Sequence, residues 1–133
     1  MFLNELQEKN KVLFLKICLH ASLSNKVFAD EEKEIIYAYC REMNVPESIP
    51  DGSELDNVIE ILGLQADGVE KKIIILEILG LLKADGNYDE KEKRFIEKLA
   101  EGLDVDKVII ESFNGLLERY AAICEEIHSV ICA

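Results

Sequence analysis

The feature that most constrains this chain is a match with itself at an offset of 60 residues. Val27-Phe28-Ala29-Asp30-Glu31-Glu32-Lys33-Glu34-Ile35-Ile36 lies over Asn87-Tyr88-Asp89-Glu90-Lys91-Glu92-Lys93-Arg94-Phe95-Ile96. Further on, Tyr39 falls on Leu99, Met43 on Leu103, Asn44 on Asp104 and Val45 on Val105. Few of the residues are identical, but the apolar positions coincide. Upstream, Val12–Leu23 falls on Lys72–Lys83, and both stretches are apolar on nearly every side, as in helices at the centre of a bundle. The reading is a duplicated helix–loop–helix unit, with internal repeats at about 12–45 and 72–105 of one domain spanning 1–133. Two copies are too few for a solenoid, so the units are expected to pack on each other.

Periodicity and punctuation give about six helices. The first runs from about Leu3 to Leu23 and the second from about Asp30 to Met43, followed by a connection marked by Pro46 and Pro50. The third covers about Ser53 to Leu64 and the fourth about Val69 to Lys83, stopping at Asp85-Gly86. The fifth covers about Glu90 to Gly102. The last begins near Asp106 and reaches Val130, with apolar residues Ile109, Phe113, Leu116, Leu117, Tyr120, Cys124 and Ile127 at helical spacing; it is expected to clamp the two units together. The fold class is therefore all-α, a bundle of two pseudo-symmetric units.

Charge narrows the partners. Twenty-seven acids against 15 bases give a net charge of −12, which phosphate backbones and anionic membrane surfaces repel. Nucleic acid is excluded on this reading; basic protein surfaces and divalent cations suit it better. The apolar runs Val12–Leu23 and Ile73–Leu82 are too short and too interrupted to span a bilayer, so no membrane insertion is expected. Of the four cysteines, Cys18, Cys40 and Cys124 fall on apolar helix faces and are expected to be core thiols, in keeping with a reducing cytoplasm. His20 and His128 complete no zinc spacing and read as packing or surface residues, and Glu118, Glu125 and Glu126 as a solvated face.

Two features point to chemistry. Glu32 falls in the middle of the apolar stripe Phe28, Ile35, Ile36, Tyr39, Met43, and Glu92 falls likewise among Tyr88, Phe95, Ile96 and Leu99. Each unit thus aims one carboxylate inward, which must be paired or hydrogen-bonded. Asp89 and Glu92 have the spacing of a capping box, which would satisfy Glu92 structurally; in the first unit Ala29 stands in the place of Asp89. The second feature is the loop 83–92, where Asp85, Asn87 and Asp89 sit as in the first half of a calcium loop, although Glu90 and Ile96 occupy its glycine and final glutamate positions. It is no EF-hand, yet Asp85, Asp89 and Glu92 could gather around a hard cation. The residue pattern is compatible with capping and with ligation.

Ala84-Asp85-Gly86, the aromatic Tyr88 with Asp89, and Glu92 opening an amphipathic helix resemble the tellurite-resistance protein B-like (TerB-like) family. That family includes the membrane-side domain of a DnaJ-like chaperone. The resemblance covers essentially the whole chain. It implies an all-α bundle and, for some members, an acidic cluster proposed to bind metal, onto which Asp85, Gly86, Asp89 and Glu92 carry over, with Glu32 as the first-unit counterpart. The chain departs at Asn25-Lys26, where the family often repeats Asp-Gly.

The expected function is a non-enzymatic TerB-like interaction or stress-response domain, working through protein partners as a monomer or weak homodimer. The alternative is a divalent-cation module, for calcium, magnesium or zinc, using Asp85, Asp89, Glu92 and Glu32. A hydrolase with Glu32 and Glu92 as acid and base would need a nucleophile or positioning residue, and none is apparent.

Overall fold

The computed structural model describes residues 1–23, 30–84 and 88–133, without the side chains of Leu23, Glu31 and Glu32. After a 3-10 turn at Leu3–Glu5, six α-helices and no strand occur among the described residues: α1 (Glu8–Leu23), α2 (Asp30–Glu42), α3 (Leu55–Gln65), α4 (Gly68–Lys83), α5 (Glu90–Gly102) and α6 (Lys107–Cys132).

The two most apolar segments take the centre. On α1, Phe14, Leu15, Ile17, Cys18, Leu19 and Ala21 are buried; on α4, Ile73, Ile74, Ile75, Ile78, Leu79 and Leu82 are. Adjacent buried positions cannot share one face of a helix, so both helices are enclosed on several sides. α1 packs on α2, α3 and α4, while α4 packs on α1, α5 and α6. By contrast α5 buries only Glu92, Ile96, Leu99 and Ala100, a single stripe at four- and three-residue steps.

Helix bounds recur at the offset read in the sequence. α1 runs from 8 to 23 and α4 from 68 to 83; α2 runs from 30 to 42 and α5 from 90 to 102. Both amphipathic helices also end the same way. Asn44 and Asp104 each adopt φ 57, the left-handed conformation that closes a helix. Val45 N–H then reaches back to the Cys40 carbonyl at 3.0 Å, and Val105 N–H to the Ala100 carbonyl at 2.8 Å.

Three expectations need correction. The first helix does not start at Leu3: Leu6 is extended, so the chain makes a 3-10 turn, breaks, and begins α1 at Glu8. Leu3 and Leu6 are both buried, and this break lets the segment fold over α4. The last helix does not clamp the two units. Its main contacts are with α4 and α5, made by its first half through the buried Ile110 and the half-buried Phe113 and Leu117. Its second half leaves the bundle, so Cys124 is exposed, unlike the buried Cys18 and Cys40.

α3 and α5 approach closely at two glycines. A Cβ on Gly63 would stand 3.2 Å from the Gly102 carbonyl oxygen, and one on Gly102 would stand 2.2 Å from Ile59 Cγ2. Gly102→Ala should therefore lower stability by about 1–3 kcal/mol through overpacking. Gly115→Ala in α6, where a Cβ meets nothing within 4 Å, should instead raise it by up to about 1 kcal/mol from helix propensity. Denaturant unfolding of the two variants reads this opposite pair of signs.

Candidate functional site

Of the four residues expected to form an acidic site, Asp89 and Glu92 are brought together. Asp85 and the side chain of Glu32 lie outside the described residues. Asp89 is the N-cap of α5: its Oδ1 accepts from Glu92 N–H at 2.9 Å, and Glu92 Oε1 accepts from Asp89 N–H at 3.2 Å. This is a complete capping box. Glu92 is only 3% exposed, so it does point inward as its place in the stripe implies. Beside it, Lys83 and Lys93 lie 5.7 and 5.8 Å from the centre of the Tyr88 ring. Burial, reinforced by the charges of Glu97, Glu92 and Glu90, pushes the Tyr88 phenol above its ordinary value. Among the described residues, no group of three or more His, Cys, Asp or Glu is placed to hold a metal ion.

A second, more elaborate acid cluster lies at the start of α4. Asp67 and Glu70 form the same box: Asp67 Oδ1 accepts from Glu70 N–H at 2.8 Å, and Glu70 Oε1 accepts from Asp67 N–H at 3.2 Å. Glu70 is 2% exposed and takes three further donors from the start of the chain. Gln7 N–H and Gln7 Nε2 donate to it at 2.8 and 2.9 Å, and Asn10 Nδ2 donates at 2.9 Å. Sequence reasoning passed over Glu70. The signal was present, since Asp67-Gly68-Val69-Glu70 repeats the spacing of Asp89-Glu90-Lys91-Glu92.

Other charges, the buried Glu77 and Lys11 and the more exposed Glu42 among them, also act as struts. Glu77 Oε1 accepts from Phe2 N–H at 2.9 Å and from the Met1 amine at 2.6 Å, while Glu42 Oε2 accepts from Leu3 N–H at 3.0 Å. Together with Glu70, these carboxylates hold the backbone of residues 2, 3 and 7. Lys11 is buried and donates to the Met43 carbonyl at 2.8 Å, just beyond α2. His20 Nε2 donates to the Ser53 carbonyl at 2.6 Å, which fits its expected packing role.

Two open grooves, of about 290 and 490 Å³, adjoin the α5–α6 connection; Asp104, Val105 and Asp106 line both, and neither lining includes Ser, His or Cys. The second half of α6 is different in kind. Leu116, Tyr120, Ile123, Ile127, Val130 and Ile131 are between 51% and 78% exposed, and they follow one another at helical spacing along one projecting element.

The architecture has a counterpart among solved structures. A tellurite resistance protein from Nostoc punctiforme matches with a TM-score of 0.67, over 92% of this chain and 80% of that one, at 22% identity. The chain has a TerB-like fold. No protein-family model and no curated protein matches it. At this identity the likeness establishes the TerB-like architecture alone.

In this fold the buried acids should prove to be braces. Glu70→Ala, which takes the acceptor from the buried Asn10 amide and from the donors of Gln7 and Asp67, should lower the unfolding free energy by about 3 kcal/mol. Asp67→Ala, losing one cap, should cost about 1 kcal/mol. Glu125→Ala on the exposed α6 should stay within about 0.5 kcal/mol of the parent. Equilibrium unfolding in urea ranks the three.

Proposed function

We propose that this chain is a non-enzymatic interaction domain, a braced helical scaffold that presents the second half of α6 to a protein partner. The observation that carries this reading is the exposed apolar stripe from Leu116 to Ile131. Scattered apolar residues are normal on a surface, but a contiguous stripe on one element marks an interaction site. Glu70, Glu77 and Asp89 support the same reading from the other side, because each accepts hydrogen bonds from amides of the fold. Equal helix bounds and matched helix endings at an offset of 60 support a duplicated unit as the origin of the scaffold. The neighbouring structure is a tellurite resistance protein, and we carry over only the broad setting of a stress response. The chain's net charge of −12 favours partners other than nucleic acid, and free thiols at Cys18, Cys40, Cys124 and Cys132 suit a reducing cytoplasm. No helix among the described residues is long and apolar enough to cross a membrane.

The test compares proteins captured from native lysate by the parent chain and by an Ile123→Glu/Ile127→Glu variant. Both residues are exposed within the chain, so the variant should keep the folded bundle, as read by circular dichroism, yet lose the captured partners at least tenfold. Identical captures by the two would refute a docking role for α6.

The alternative, a divalent-cation module at 85–92, draws on the adjacency of Asp89 and Glu92. Thermal melts with calcium, magnesium or zinc separate the readings. A site filled at a hundred times its dissociation constant would add about 2.7 kcal/mol. The scaffold reading predicts no shift, whereas a shift abolished by Asp89→Asn and by Glu92→Gln would establish the cation site.

A further inference from the structure

We infer that the chain pairs with a second copy of itself, antiparallel along α6, with Tyr120 of each copy against Ile123 of the other. This deepens the docking role given above to the same face. Its starting point is the spacing of the stripe. Ile109, Phe113, Leu116, Tyr120, Ile123, Ile127 and Val130 recur at alternating steps of four and three, the heptad pattern of a helix seam that faces another helix. Ile109 and Phe113, nearest the bundle, are partly buried, while the positions from Leu116 onward are open. The second half of α6 gains nothing from its apolar face in an isolated copy, and a helix of that length without packing is marginal in water.

Charge decides the occupant and its direction. Along the seam the flanking position just before each of Phe113, Tyr120 and Ile127 holds Ser112, Arg119 and Glu126. In an antiparallel pair these flanking positions face their own kind across the seam. When Tyr120 meets Ile123 of the second copy, Leu116 meets Ile127, Phe113 meets Val130, and Arg119 lies beside Glu126, twice by symmetry. Sliding one heptad in either direction sets Arg119 beside Arg119 or Glu126 beside Glu126. A parallel pair would instead set Arg119 against Cys124 and Glu126 against Ile131. Only the antiparallel register centred between Tyr120 and Ile123 is complementary in both apolar layers and charge. Such a face is self-complementary, as an isologous two-fold interface requires. The overlap from Phe113 to Val130 spans about 27 Å of helix at 1.5 Å per residue.

Sedimentation velocity of the full chain over a wide concentration series tests this, with circular dichroism confirming that each variant is folded. The parent should form a dimer, and Ile123→Glu should be monomeric. Arg119→Glu and Glu126→Arg, each creating two like-charge contacts, should weaken the dimer about tenfold or more. An equimolar mixture of these two variants should form a heterodimer as tight as the parent, because every flanking contact is again opposite in sign. A parent that stays monomeric throughout, a dimer indifferent to Ile123→Glu, or a mixture no tighter than its components would each overturn the inference. If the parent is monomeric while Ile123→Glu/Ile127→Glu still loses lysate partners, self-pairing falls and the docking face stands; if neither effect occurs, both fall.

Discussion

The carboxylate of Glu70 ties the beginning of the chain to the beginning of α4, and the arrangement of the two central helices depends on it. A buried charge costs several kcal/mol unless it is hydrogen-bonded well. Here four donors converge, from Gln7 twice, from Asn10 and from Asp67, all within 3.2 Å. The charge also sits in the first turn of α4, where the helix dipole favours an anion. Since Asn10 lies in the first turn of α1, this cluster sets how α1 crosses α4, and the aliphatic residues of both helices then fill the interior.

The same device is used repeatedly. Glu77 and Glu42 hold Phe2 and Leu3, Glu92 closes the box on Asp89, and Lys11 answers the open carbonyl of Met43. An excess of acids is easily read as a ligand site. In this chain these acids accept from backbone amides of the fold, which is a structural duty. A run of exposed apolar residues at helical spacing lies on α6. A firm bundle thus carries one projecting helix whose exposed residues are of the kind usually found inside.

Much of the architecture was legible because it follows from local rules. The all-around apolar character of 12–23 and 72–83 announced the two central helices, and the place of Glu92 within its stripe announced an inward carboxylate. The capping spacing of Asp89 and Glu92 was also readable. Glu70 escaped because its importance comes from donors some 60 residues away, which no local pattern displays. The break at Leu6 escaped for the same reason, since it is fixed by packing and by Gln7's bonds to Glu70. For α6 the apolar spacing was read correctly but its destination was not. An amphipathic stripe specifies that a face seeks cover and leaves open whether its own bundle supplies it, so Cys124 was expected inside and lies outside.

The central claim, that the interior is complete without the second half of α6 and that this half is stabilised by association, is tested most directly by native-state amide hydrogen exchange at low and high protein concentration. Amides of α1 and α4 should exchange only through global unfolding of the folded unit. Those from Glu118 to Cys132 should exchange readily when dilute and become protected as concentration rises. Protection over Glu118–Cys132 that equals that of α4 at every concentration would contradict the account, as would an absence of protection there at the highest concentration reached.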